Sequence, residues 1–272
     1  MLSDCQLPPG LVAEAFDIQT LRGVAYASAR WTPAGLIRVM EHLGTRGQKA
    51  LDAVSPERLL AAWEATIDSL LDASGPTRAR LDPALTRLSG LSEAGLVAGL
   101  ENLLSGSIGP AARDMASMAR PASDRRPVAV FLAGNLPGLA LQAMLPPLLA
   151  GRPLLIKTAS SEPLFTPCLA SELVARLPEL ADALAVLTWP GGDRDLEQPV
   201  LESAGRVVAY GDQPALDDLA DRVGERLVGL GPGISLAIVG GEVDPDEIAM
   251  GLARDIALFD QRGCLSIHAI YT

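Results

Sequence analysis

Over 272 residues, hydrophobic side chains make up 49% and charged ones 20%, which excludes a disordered tail, a collagen and a charged coiled coil. Lys+Arg 22 against Asp+Glu 33 leaves a net charge of −11, the wrong sign for a chain that grips nucleic acid by its phosphates, and an aromatic share of 4% offers few platforms for stacking bases. Cys5, Cys168 and Cys264 stand far apart with no C-x-x-C, so neither a zinc site nor a disulfide framework is expected. No basic segment precedes an early apolar run, so a secretory peptide is not expected, and a reducing cytoplasm is the default compartment.

The first 125 or so residues read as helical. Ser55-Pro56 supplies an N-cap and an N1 proline ahead of the stripe Leu59, Leu60, Trp63, Ile67 and Leu70. Ser92 opens another helical segment with Leu96, Leu100, Leu103 and Leu104 on one side, and residues 119–127 have the composition of a linker. Residues 128–151 carry no charge, long enough for a membrane span, but Asn135, Pro137, Gln142, Pro146 and Pro147 interrupt them. They read as strand, turn and helix, and no span is expected.

From there short apolar runs alternate with helical stretches. The runs are 128–132, 154–156, 184–187, 207–210 and 236–239, and the helices fall near 136–149, 161–177, 195–204, 214–228 and 245–260. Strands apolar on both faces and separated by helices predict a parallel sheet covered on both sides. The expected fold is therefore α/β: a mostly parallel, five-stranded, Rossmann-like sheet with helices on both faces, preceded by a helical N-terminal region. Asp244, Pro245 and Glu247 mark the start of the last helix as a capping box, and 267–271 reads as a final strand.

Gly229-Leu230-Gly231-Pro232-Gly233 lacks the sixth-position glycine of a dinucleotide fingerprint and precedes a strand rather than following one, so it reads as a loop. No Walker lysine motif, H-E-x-x-H or G-x-S-x-G occurs, and with only His42 and His268 no metal site is expected. Four features carry chemistry. Asn135 follows the first strand of the sheet, where open α/β layers place ligands, or else caps the next helix. Lys157, one of two lysines, closes the second strand and can donate to a ribose or phosphate, or else is a surface lysine. Gly211 follows the fourth strand, where helix-start amides can hold a phosphate, or else is a turn glycine. Cys264 lies between a helix and a strand, in Asp260-Gln261-Arg262-Gly263-Cys264, a better setting for a nucleophile than the helical Cys168, or else is a small core residue.

In this order the features resemble the aldehyde dehydrogenase superfamily and, within it, the acyl-CoA reductases similar to the long-chain fatty acyl reductase of bacterial bioluminescence. Phe131-Leu132-Ala133-Gly134-Asn135 and Ile156-Lys157-Thr158-Ala159-Ser160 resemble the asparagine turn and the "K-P-S-E" segment. Ala209-Tyr210-Gly211-Asp212 stands for "F-T-G-S", Ile238-Val239-Gly240-Gly241-Glu242 for "E-L-G-G-K", and 259–264 for the "N-Q-G-Q-C" of the catalytic cysteine. The resemblance covers about 128–272.

It implies Cys264 as nucleophile and Asn135 as oxyanion donor, with Lys157, Ser160 and Gly211 on the cofactor. Ile238 replaces the glutamate that activates water, which favours reduction of a thioester over its hydrolysis. Ser160 replaces the ribose-binding carboxylate, which favours NADP (NADPH); Asp212, an anion in place of a serine, opposes a pyrophosphate nearby. His268 is a candidate base for the thiol, or else a solvent-facing residue. The implied substrate is an acyl-CoA or another activated acyl group, with room for a homo-oligomer or acyl-transfer partner proteins. The implied domains are a helical region over 1–125, a nucleotide-binding layer over 126–263, and the start of a catalytic domain at 264–272. Because the chain ends eight residues after Cys264, little or no turnover is expected of it alone. An acyl-phosphate reductase and a non-catalytic nucleotide-binding or assembly module are the alternatives.

Overall fold

A computed structural model describes residues 1–120, 123–134, 136–263 and 265–272, with Pro245 by its backbone alone. The chain opens with an antiparallel hairpin, β1 (Ala15–Leu21) and β2 (Val24–Arg30), in register from Ala15↔Arg30 to Leu21↔Val24. Its turn is Arg22-Gly23, both left-handed at φ 49° and 76°, the conformation that suits two-residue hairpins. The N-terminal region is thus not helical throughout. The hairpin is hard to foresee: alanine at 25, 27 and 29 has little strand preference, and arginine is an unusual first turn residue.

Helices follow as expected: α1 (Pro33–His42), α2 (Gln48–Asp52), α3 (Pro56–Leu71), α4 (Pro76–Ser89), α5 (Glu93–Ser105) and α6 (Pro110–Met118). Ser55 caps α3 by accepting from the Arg58 N–H at 3.3 Å, and Leu59, Trp63, Ile67 and Leu70 form its buried stripe.

The α/β layer comprises β3 (Val128–Phe131), α7 (Ala140–Leu149), β4 (Leu154–Thr158), α8 (Phe165–Arg176), α9 (Leu180–Ala183), β5 (Leu184–Thr188), α10 (Arg194–Ser203), β6 (Arg206–Tyr210), α11 (Gln213–Val223) and β7 (Leu227–Leu230). Its strands run in the order β5-β4-β3-β6-β7, every pair parallel. Alternation divides two cores. Val128, Val130, Ile156 and Val186 join α3, α5, α7 and α8 on one face, while Phe131, Leu155, Leu187 and Ala209 meet α1, α10 and α11 on the other. The chain leaves β3 toward β4 and β5 and returns to place β6 on the opposite side, so the sheet's switch point lies at the carboxyl ends of β3 and β6.

The fifth strand corrects the expectation. Leu227–Leu230 completes the sheet, whereas β8 (Ser235–Ile238) pairs in parallel with β9 (Ile267–Tyr271) in a separate two-stranded sheet, with α12 (Pro245–Ala257) between them in sequence. α11 ends at Val223 with Gly224 at φ 57°, a short 3-10 turn covers Gly224–Arg226, and the chain then extends, so Gly229 and Leu230 belong to a strand and not to a loop. The helix after β3 starts at Ala140 with Leu139 at its cap. No helix among the described residues is long and apolar enough to cross a membrane.

Candidate active site

Lys157 is the penultimate residue of β4, in register with Phe131 on one side and Leu187 on the other. It is buried, at 6% exposure, so the surface-lysine alternative falls. Its Nζ stands 3.9 Å from where a β-carbon would sit on Gly191, in the turn after β5. Burial holds its pKa below the usual lysine value, opposed in part by the nearby carboxylate of Glu197. That carboxylate is already engaged by the Gly192 N–H at 3.2 Å and by Arg222 at 2.5 Å. The Lys157 ammonium makes no hydrogen bond or ion pair among the described residues, while its backbone is held in the sheet. It is a desolvated donor at the carboxyl edge of the sheet with protons to offer, which suits a ribose hydroxyl or a phosphate.

Ser160 is exposed and donates to the Trp189 carbonyl at 3.3 Å, linking the loops after β4 and β5. Gly211 is less open than expected. Its N–H donates to the Leu230 carbonyl at 3.3 Å and extends the β6–β7 ladder, so this amide is not free for a phosphate. Asp212 caps α11, accepting from the Ala215 N–H at 3.0 Å, a structural reason for an acid at this place. His268 is exposed on β9. Among the described residues no group of three His, Cys, Asp or Glu could hold a metal ion.

Asn135 and Cys264 lie outside the described residues. Their neighbours are described, and they meet: a β-carbon on Gly263 would sit 3.6 Å from Leu136 Cδ1. The loop after β3 is held at Gly134, whose carbonyl accepts from Ser161 Oγ at 3.2 Å, and at Gly138, which packs on Leu100 and Leu103 of α5. The segment before Cys264 rests on the same helix. The Asp260 carboxylate accepts from the Ser92 N–H at 2.6 Å and from Ser92 Oγ at 2.7 Å, and Phe259 is buried over Gly99. Ser92, Gly95 and Gly99 carry no chemistry of their own. Two glycines four apart inside a helix are nonetheless a legible sign, because each weakens the helix unless another chain must approach closely.

The family model for acyl-CoA reductase (LuxC) matches residues 121–272. The chain belongs to the LuxC family. Among curated relatives, the long-chain acyl-protein thioester reductase of Photorhabdus laumondii is 30% identical over 146 residues, and that of Aliivibrio fischeri is 31% identical over 147. Both alignments take in 52% of this chain but only 30% of the relative, so the LuxC-like part spans less than a third of those proteins. Among solved structures, an aldehyde dehydrogenase from Brucella melitensis biovar abortus superimposes with a TM-score of 0.74 at 15% identity, covering 98% of this chain and 59% of that one. A 3,6-anhydro-L-galactose dehydrogenase in complex with NAP gives 0.73 at 17% identity, covering 98% and 60%. These likenesses establish the aldehyde dehydrogenase fold.

Proposed function

We propose that this chain supplies the cofactor-binding layer and the nucleophile of an NADPH-dependent reductase that takes a long-chain acyl thioester to the aldehyde. The observation that carries this reading is the approach of Leu136, in the loop after β3, to Gly263, where a β-carbon would stand 3.6 Å from Leu136 Cδ1; the two are next neighbours of Asn135 and Cys264. The Cys264 thiolate attacks the thioester carbonyl carbon, the bond from that carbon to the carrier sulfur breaks, and the carrier departs as its thiolate, which takes a proton from solvent. The Asn135 side-chain N–H and the Cys264 backbone N–H hold the oxyanion; one such donor is worth about 10²–10³ in rate. NADPH, when bound, supplies the hydride that reduces the acyl carbon, and the bond from that carbon to the Cys264 sulfur then breaks, releasing the aldehyde and returning the thiolate.

Lys157 donates to the ribose side of the cofactor, and Ser160, lacking a carboxylate, leaves room for a 2′-phosphate. Gly211 lines the same edge by backbone contact. Ile238 cannot take a proton from water, and its side chain is exposed at the end of β8, so the acyl-enzyme is spared base-assisted hydrolysis. The relatives are named for an acyl-protein thioester, which extends the carrier beyond coenzyme A.

Intact-mass spectrometry after incubation with a long-chain acyl-CoA, and separately with an acylated carrier protein, tests the proposal. An acyl adduct that maps to Cys264 and vanishes in Cys264→Ala is expected. A folded chain that binds NADP⁺ yet takes no acyl group from either donor would mark a nucleotide-binding module and overturn it. An adduct formed only from an acyl phosphate would assign another substrate class.

A further inference from the structure

Phe259, Asp260 and Gln261 are three successive non-glycine residues in the left-handed region, at φ 54°, 51° and 61°. L-residues leave that region unless the surroundings hold them there. What holds them comes from the N-terminal helices. The two Asp260 oxygens divide the Ser92 backbone N–H and the Ser92 hydroxyl between them. The same hydroxyl accepts from the Gly95 N–H at 2.9 Å, so the cap of α5 and the loop share one atom. A β-carbon at Gly95 would overlap the Asp260 carboxylate, and one at Gly99 would stand 2.5 Å from the Phe259 ring. Arg262 donates to the Ser89 carbonyl at 2.7 Å, fixing the loop at the end of α4 as well.

The other loop of the site uses the same helix. Gly138, left-handed at φ 95°, would carry a β-carbon 3.0 Å from Leu103 Cδ1 and 3.3 Å from Leu100 Cδ2. One helix therefore seats both chain segments that flank the proposed oxyanion site, and the Leu136–Gly263 contact closes the triangle. We propose that α5 is the platform that registers these two loops, with Asp260 and Ser92 as the positioning pair for the loop that bears Cys264. This rests on the reading of Cys264 as the nucleophile. Neither residue touches the reacting atoms; they act by fixing the backbone on either side of the two proposed catalytic residues.

The test uses the full chain. Asp260→Asn keeps the size and tolerates the left-handed backbone while removing the charged acceptor. Ser92→Ala removes the hydroxyl, and Ser92→Thr retains it. Two rates at Cys264 are measured across pH: acyl transfer from palmitoyl-CoA, and alkylation by iodoacetamide located by peptide mass spectrometry. NADP⁺ affinity and melting temperature serve as controls. For Asp260→Asn and Ser92→Ala the expected result is acyl transfer slowed at least tenfold with the high-pH plateau of alkylation raised at least fivefold, at wild-type NADP⁺ affinity. Ser92→Thr is expected to stay within about twofold on both. The double variant is expected to lose no more than the worse single, because both changes break one interaction.

Both rates within twofold of wild type in Asp260→Asn and Ser92→Ala would overturn the inference while leaving the nucleophile reading intact. If the wild-type chain takes no acyl group, the nucleophile reading fails and alkylation alone decides the positioning role. If Asp260→Asn does not fold, Ser92→Ala against Ser92→Thr decides it by the same criteria.

Discussion

Gly134 and Ser161 stand so close that a β-carbon on the glycine would overlap the serine hydroxyl, which donates to the Gly134 carbonyl at 3.2 Å. The approach ties the loop after β3 to the loop after β4 and sets the direction in which the chain leaves toward Asn135. Gly134→Ala is expected to destabilise the fold by about 1–3 kcal/mol, the usual range for overpacking, and to slow acylation of Cys264. Adding Ser161→Ala should restore only part of the loss, because a β-carbon at 134 would still stand 2.7 Å from that of Ala159. Urea unfolding of the two single variants and the double separates these contributions. A fully additive double variant would show that the serine is not the obstacle.

Lys157 separates cofactor binding from stability. Burial lowers its pKa, so between that lowered value and the ordinary 10.5 the unfolded chain binds more protons than the folded one. The buried ammonium is thus a cost to the fold that is present at neutral pH and fades as pH rises through this window. Lys157→Met is expected to be at least as stable as wild type at pH 7, with its advantage shrinking toward pH 10. NADPH affinity in the same variant is expected to fall at least tenfold, a loss of about 1.4 kcal/mol or more. Unfolding at several pH values and fluorescence titration with NADPH read the two effects independently. A variant that binds NADPH as well as wild type would remove Lys157 from the site.

The parallel sheet was legible because its strands are apolar on both faces and its helices carry caps such as Ser55 and Asp212. The hairpin was not, since Ala25, Ala27 and Ala29 derive their strand conformation from pairing with β1 rather than from local preference. Local pattern also misplaced the fifth strand: Leu227–Leu230 has one glycine and half-exposed side chains, while 236–239 is the more hydrophobic run. Lys157 could be singled out from its place at a strand end, but its burial depends on α10 and the Gly191-Gly192 turn, which come more than thirty residues later. The seat of the 258–262 loop on α5 joins Asp260 to Ser92 across 168 residues, a pairing no window of sequence contains.

Asp212 is where helix stability and anion binding conflict. As the cap of α11 its carboxylate satisfies the Ala215 N–H, yet it also puts a negative charge beside the edge proposed for the cofactor pyrophosphate. Asp212→Ser retains a capping oxygen without the charge. The expected outcome is stability within about 0.5 kcal/mol of wild type and NADPH bound about two- to fivefold more tightly at low salt, the gain shrinking as salt screens the charge. Asp212→Ala, which loses the cap too, should cost about 1 kcal/mol. Titration at two ionic strengths checks the first claim and thermal melting the second. An unchanged affinity in the serine variant would mean that the pyrophosphate lies away from α11.

Glu162 gives the fold a pH dependence of unusual sign for a carboxyl group. Its side chain is buried, and one oxygen accepts from the Leu164 N–H at 3.0 Å and the Phe165 N–H at 2.9 Å at the start of α8. Those bonds favour the carboxylate, but burial outweighs them and pushes the group up to about 7 from its ordinary 4.5. Between these values the folded chain holds a proton that the unfolded chain has released, so stability falls as pH rises through the window. Above about pH 7 the full penalty applies, and below about pH 4.5 it vanishes. Glu162→Gln keeps an acceptor for both N–H groups and removes the titration. The difference in unfolding free energy between wild type and Glu162→Gln is expected to move against wild type by about 3 kcal/mol from pH 4.5 to 8, most of it before pH 7. Urea unfolding of both proteins across that range measures it. A difference that stays flat with pH would show that the two backbone donors, not burial, govern this carboxyl group.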